Sequence, residues 1–170
     1  VDFPDVLIAI VRQMGKQLRE RAGVELKPGY FIDRWERAKE LLGSEVDFKD
    51  LTLDGGLVKF SSTIKSSPNA RLKIREFLEP DTGNWLYAAN DVIGKAKMEL
   101  ERKGYSDLAI IVGDLDKMVL RNHPKAECST GEYLFVHREA QLSAFECHLI
   151  YTMPIALAYS GQERVIASLY

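Results

Sequence analysis

DLAIIVGDLDKMVL, at residues 107–120, decides the fold, because five apolar residues lead through a glycine to two aspartates and a lysine. Such an apolar run is typical of a buried parallel strand that delivers acidic groups to its carboxyl end. A second run, CHLIYTMPIAL at 147–157, is also rich in β-branched and aromatic residues and predicts another strand, ending near 152–154.

The segment between these two strands predicts a helix. STGEYLFVHREAQLSAF, at 129–145, begins with Ser129 followed three residues later by Glu132, the spacing of a capping box. Strand, loop, helix and strand in this order form a βαβ unit, whose two strands are expected to be parallel neighbours.

Helical periodicity and turn residues extend this interpretation along the rest of the chain. Helices are predicted over 3–22, ending at Gly23, over 28–42, over 68–79 before Pro80, and over 82–103, capped by Asp81 or Thr82 and ending at Gly104. A short hairpin or irregular segment is predicted at 44–67, around Gly55-Gly56. The predicted fold class is therefore α/β, with a parallel sheet flanked by helices.

Composition indicates an ordinary globular protein. The chain has 170 residues, of which 46% are hydrophobic and 28% charged, and its net charge of −2 does not favour nucleic-acid binding. We expect a single α/β domain over 1–170.

Two cysteines do not form a disulfide framework, which favours the reducing cytoplasm. No apolar stretch reaches the ~18 residues of a membrane span, so no membrane partner is expected.

Three polar side chains are predicted to meet at the carboxyl ends of the two strands: Asp114, Asp116 and Thr152. A carboxylate in this position can bind Mg²⁺, which prefers oxygen ligands. A second acid can orient a water molecule, and a hydroxyl on the next strand can sense a terminal phosphate. This set of roles belongs to nucleoside-triphosphate hydrolysis. The alternative is that both aspartates simply begin a solvated turn.

LAIIVGDLDKMVL resembles the Walker B segment of P-loop ATPases of the bacterial AAA/STAND type, and CHLIYTMPIALAYS resembles their sensor-1 strand. The match covers about 105–160. The resemblance implies a three-layer α/β/α core, with ATP and Mg²⁺ as cofactors of a regulatory or signalling hydrolase. It also implies that Asp114 and Asp116 are the metal-binding and water-orienting acids, in either order, and that Thr152 is the sensor.

The sequence departs from this family pattern at two places. Gly113 stands where family members carry an aspartate, so Asp114 is displaced by one residue and Asp116 matches the second acid. The phosphate-binding loop G-x-x-x-x-G-K-[ST] is absent, since neither Gly15-Lys16 nor Gly94-Lys95 has its flanking residues. We therefore expect a fragment of a larger ATPase, inert for hydrolysis by itself, in which 44–80 is an insert.

The sequence also allows other functions. A non-enzymatic α/β scaffold or protein-interaction module, derived from a degenerate ATPase core, remains the main alternative and allows a protein partner or self-association. A metal-dependent phosphotransfer or nuclease domain would need further acids. Histidine and cysteine spacings do not fit a zinc site, and a Cys128 nucleophile lacks an orienting group. Five basic residues are predicted near the site, where an arginine could reach a γ-phosphate, although such residues on helices and loops more often form a solvated face. They are Arg71, Lys73, Arg75, Arg121 and Lys125. Tyr30, Phe31, Trp35 and Trp85 are predicted to pack in the core, and His148 to be half-buried in the sheet.

Overall fold

A computed structural model of the chain describes residues 1–26 and 68–169. The long helices are α1, Phe3–Ala22, α2, Pro68–Leu78, and α3, Thr82–Arg102, with a 3₁₀ turn at Glu79–Asp81. Strand β1 spans Ala109–Val112 and is followed by a 3₁₀ turn, Leu115–Lys117. Next come α4, Thr130–Glu132, a π-helix, Tyr133–His137, and α5, Glu139–Leu142. Strand β2 spans His148–Tyr151, and the last elements are a 3₁₀ helix, Ile155–Tyr159, and α6, Glu163–Leu169.

Helix α1 forms where the apolar periodicity predicts it. Two side chains accept from backbone amides at its start: the Asp2 carboxylate accepts from the Phe3 amide, and the Asp5 carboxylate accepts from the Asp2 amide. Gly23 follows the last helical residue with φ +59°, the left-handed conformation that favours glycine at this position. The predicted apolar stripe is buried, at Val6, Leu7, Ile10, Val11, Met14 and Leu18.

Helix α3 also follows its predicted stripe, but its first turn differs from the prediction. Neither predicted residue caps the helix by its side chain: Asp81 makes no such bond, and the Thr82 hydroxyl donates backwards to the Leu78 and Glu79 carbonyls. Gly104, with φ +87°, ends the helix as predicted. The buried residues of α3 are Trp85, Ala88, Ala89, Val92, Ile93, Ala96 and Leu100.

Strands β1 and β2 pair in parallel, with Ala109 opposite His148 and Val112 opposite Tyr151. The predicted strand–helix–strand unit is thereby confirmed, and the fold of the described residues is mixed helix and parallel sheet. Helical residues between the strands begin with the predicted capping box, in which the Ser129 hydroxyl accepts from the Glu132 amide and the Glu132 carboxylate from the Ser129 amide.

The strands are not buried on both faces, which corrects the prediction of a fully buried sheet. Exposed and half-buried residues alternate along each strand, and the register partners Ile111 and Ile150 keep 70% and 57% of their surface exposed. His148 shares this parity and is exposed, not half-buried as predicted. Since successive side chains of a strand point to opposite faces, an apolar run with few polar residues does not reveal which face is covered.

The chain divides into two compact units, one formed by 1–6 and 109–170 and the other by 7–108. In the first, Phe3 and Phe145 pack with ring centroids 5.9 Å apart. In the second, the edge of one ring meets the face of the other between Phe77 and Trp85, and Trp85 is buried as predicted.

Several predictions concern residues outside the described ranges. These are the helix at 28–42, the hairpin at 44–67, and the core positions Tyr30, Phe31 and Trp35. Within 1–26 and 68–169, no helix has both the length and the apolar character needed to cross a bilayer.

Candidate functional site

The candidate site lies on the turn that follows β1. The strand ends at Val112, and Gly113 leads into Asp114, whose φ of +66° is left-handed. Aspartate is among the few residues other than glycine that adopt this conformation readily. Leu115, 7% exposed, anchors the turn in the core, while Asp114 and Asp116 on either side of it are exposed. Both predicted acids therefore face solvent on one short turn.

Asp114 forms an ion pair with Lys117. The Lys117 Nζ lies 2.5 Å from the Asp114 Oδ1, and both side chains are largely exposed. The Asp114 carboxylate, by this hydrogen bond and then by its charge, raises the pKa of the Lys117 ammonium above its ordinary value, and Asp116 adds to the effect. Asp114 is thus already neutralised by a cation from its own turn.

Asp116 lies beside the end of the neighbouring strand. Its backbone amide donates to the Thr152 Oγ1 over 3.4 Å, and the Thr152 hydroxyl lies 3.5 Å from the Val112 carbonyl. The Thr152 amide donates to the same Val112 carbonyl over 3.1 Å. Among the described residues, the Asp116 carboxylate has no hydrogen-bond or ion-pair partner. The fold therefore brings the predicted Asp116 and Thr152 together across the two strands.

The described acids do not form a complete metal cage. No group of three or more histidine, cysteine, aspartate or glutamate side chains with metal-binding spacing occurs within 1–26 and 68–169. Mg²⁺ does not need such a cage, since it is commonly held by one or two carboxylates, several waters and substrate phosphates. The chemistry open to this turn is therefore that of one uncommitted carboxylate, Asp116, with a backbone amide and a hydroxyl beside it.

A second cluster of polar side chains lies on the π-helix and the preceding loop. The His123 and Tyr133 rings stack with centroids 3.7 Å apart, and the Arg138 guanidinium lies 5.1 Å from the Tyr133 centroid. Cys128 is close by, but burial, and then the charge of Glu132, raises the pKa of its thiol. A raised pKa favours the unreactive thiol, which argues against a Cys128 nucleophile.

The remaining basic candidates are dispersed. Arg121 and Lys125 are exposed in the loop before α4, while on α2 Lys73 is exposed and Arg75 is half-buried. The side chain of Arg71 lies outside the described part of the chain.

Sequence reasoning missed two contacts at the turn. The Asp114–Lys117 pair has a local signal, since oppositely charged residues three apart in a helical turn can meet. The hydroxyl contact of Thr152 with the Asp116 amide has no local signal, because 36 residues separate the two.

Comparison with known proteins adds no family assignment. No family model matches this sequence, and no curated protein or solved structure matches it.

Proposed function

We propose that this chain carries the Walker B and sensor-1 part of a P-loop ATPase of the AAA/STAND-like type, which uses ATP and Mg²⁺ in a longer protein. The single observation that carries the proposal is the meeting of Asp116 and Thr152 at the carboxyl ends of two parallel strands. In open α/β sheets, ligands bind at this edge. The two residues come from the two sequence segments that resemble this family.

Of the two aspartates, Asp116 is the better candidate for the acid that works on metal or water. Asp114 is engaged with Lys117, and releasing it would require that ion pair to open. Asp116 offers an uncommitted carboxylate on a turn whose backbone is held from the next strand. In the proposed site, Asp116 would bind Mg²⁺ directly or through water, or orient the attacking water.

Hydrolysis is not proposed for the 170-residue chain itself. ATP phosphates require a cradle of backbone N–H groups and a lysine, which the loop G-x-x-x-x-G-K-[ST] supplies. That motif is absent from 1–170. A three-layer α/β/α core and the phosphate loop are part of the proposal for the longer protein only.

One observation favours the rival function, a non-enzymatic scaffold derived from a degenerate ATPase core. Gly113 stands at the place of the family's first acid, and the next acid, Asp114, is paired with Lys117. A site reduced to one uncommitted carboxylate is what loss of catalysis would leave behind. The encoding gene separates the two functions, since only the ATPase requires G-x-x-x-x-G-K-[ST] upstream of Val1.

The proposed role of Asp116 is tested in that longer protein by Asp116→Asn. We expect turnover to fall by at least about a hundredfold, because an amide cannot act as a base, while ATP binding is largely kept. Asp114→Asn should have a smaller effect. Asp91→Asn, which removes a half-buried acid paired with Lys95 on α3, is the matched control and should leave turnover unchanged. Unchanged turnover in Asp116→Asn would remove this residue from the site.

A further inference from the structure

In the turn that carries Asp116, one of the first backbone amides donates a hydrogen bond to a side chain outside the turn. Within it, the Lys117 and Met118 amides donate to the carbonyls of Asp114 and Leu115. The Asp116 amide, at the second position of the 3₁₀ helix, is one of the groups that an N-cap side chain normally satisfies. Asp114 holds the N-cap position, yet its side chain makes no capping bond.

Two features explain why Asp114 does not cap its own turn. An N-cap residue usually has an extended backbone, from which its side chain reaches the second or third amide. Asp114 instead has φ +66°, and its carboxylate accepts from the Lys117 ammonium. The acceptor for the Asp116 amide comes from the neighbouring strand, as the hydroxyl oxygen of Thr152.

A threonine hydroxyl can fill both roles required here, because it has one donor and two acceptor lone pairs. The oxygen accepts from the Asp116 amide over 3.4 Å, and the O–H faces the Val112 carbonyl at 3.5 Å. The hydroxyl therefore joins the last residue of β1 to the turn beyond Gly113. The pairing of β1 with β2 at this point does not depend on the hydroxyl, because the Thr152 amide also donates to the Val112 carbonyl, over 3.1 Å.

We propose that Thr152 is a positioning residue, which caps the Asp116 turn from the next strand and thereby fixes the direction of the Asp116 carboxylate. Its significance for hydrolysis rests on the proposed ATPase function, but the cap itself does not. This role differs from direct sensing of a phosphate, because the hydroxyl is committed to the backbone on both sides. A displacement of Thr152, at the end of β2, would then move Asp116 through its backbone amide, without contact between the two side chains.

The cap is tested by amide hydrogen exchange, measured residue by residue by NMR on the 170-residue chain. We expect the Asp116 amide to be protected in the native chain. Thr152→Val, which keeps the side-chain shape but removes the hydroxyl, should speed its exchange about three- to tenfold, and Thr152→Ser should restore slow exchange. Thr82→Val, which removes a threonine hydroxyl on α3, is the control and should leave the Asp116 amide unchanged.

Two outcomes would overturn the cap. One is an unprotected Asp116 amide in the native chain, a measurement that needs no variant and so holds even if Thr152→Val fails to fold. The other is equal exchange in Thr152→Val and Thr152→Ser, which would assign any effect to packing of the methyl group.

A kinetic measurement in the longer protein tests the positioning role. Thr152→Val should lower kcat with KM for ATP nearly unchanged, and Thr152→Ser should restore kcat; a rise in KM without loss of kcat would overturn the role. Loss of the cap and loss of the ATPase function are distinguishable, because the exchange result requires no nucleotide.

Discussion

At the scale of single residues, the two aspartates of the turn have the same chemistry but different surroundings. Asp114 has a left-handed backbone and a lysine within hydrogen-bonding distance, whereas the Asp116 amide is held by Thr152. An ion pair between two exposed side chains is weak because water screens it, so Lys117 can release Asp114 at small cost. What separates the acids is therefore the direction their backbone imposes more than the strength of the ion pair.

At two glycines in helices, replacement by alanine is predicted to change the free energy of unfolding in opposite directions. Gly131, buried in α4, leaves no room for a methyl group, since an added Cβ would lie 2.5 Å from a Leu120 methyl and 3.1 Å from a Leu157 methyl. Gly131→Ala should therefore lower the free energy of unfolding by about 1–3 kcal/mol. The measurement is urea unfolding followed by circular dichroism.

Gly94→Ala is the matched control for this substitution. Gly94 lies in the interior of α3, and an added Cβ would meet nothing within 4 Å. The same change should there raise the free energy of unfolding by about 0.5–1 kcal/mol, because alanine loses less backbone entropy in a helix than glycine. A stabilised Gly131→Ala would mean that Leu120 moves aside freely and that this close packing carries no energy.

At the scale of elements, the capping box before the π-helix gives the chain a defined acid sensitivity. The Ser129 amide, and then the Ser129 side chain, lowers the pKa of the Glu132 carboxyl below its usual value. A lowered folded-state pKa stabilises the fold fully above the unfolded pKa of about 4.3. That stabilisation is lost as the pH falls through the folded pKa.

Substitutions in the capping box test this pH dependence. Ser129→Ala should cost about 1 kcal/mol at pH 7, since it removes the acceptor of the Glu132 amide. Glu132→Gln keeps a neutral version of the box, so it should be less stable than the native chain at pH 7 but equally stable once Glu132 is protonated. Ser143→Ala, at an exposed helix end, is the control. A difference between Glu132→Gln and the native chain that persists unchanged into acid would contradict the assignment.

Comparison of the predicted with the observed elements shows which features of the fold are determined by residues close together in the sequence. Apolar periodicity correctly predicted α1 and α3, because the side chains that define the helical period are the ones that become buried. Both strands were also predicted from their apolar runs, although their residues are half-buried or exposed. The capping box was predictable from two residues three apart. The one-sided exposure of Ile111 and Ile150 was not, because it depends on what packs over the sheet. The π-helix at Tyr133–His137 likewise has no signature in its spacing.

At the scale of the whole molecule, the candidate site depends on contacts between distant parts of the chain. Parallel pairing places the end of β2 beside the end of β1, and this much followed from the strand–helix–strand order. The identity of the group that Thr152 contacts could not be predicted, since the left-handed Asp114 redirects the backbone beyond Val112. The expectation of a single domain over 1–170 and of an insert at 44–80 stays a prediction.

The last prediction concerns nucleotide binding by the chain as a whole. Binding of ATP needs a phosphate cradle as well as acids, and 1–170 contains no G-x-x-x-x-G-K-[ST] sequence. Calorimetric titration of the 170-residue chain with ATP should therefore show no magnesium-dependent heat of binding, and a matched titration without magnesium should be indistinguishable from it. Acids alone cannot compensate, because even with Mg²⁺ bound between them and the phosphates, Asp114 and Asp116 do not supply the cradle of backbone N–H groups that holds the phosphates. Micromolar binding that requires magnesium would show that this chain builds a phosphate site from other residues, and it would overturn the argument that ATP cannot bind without the missing loop.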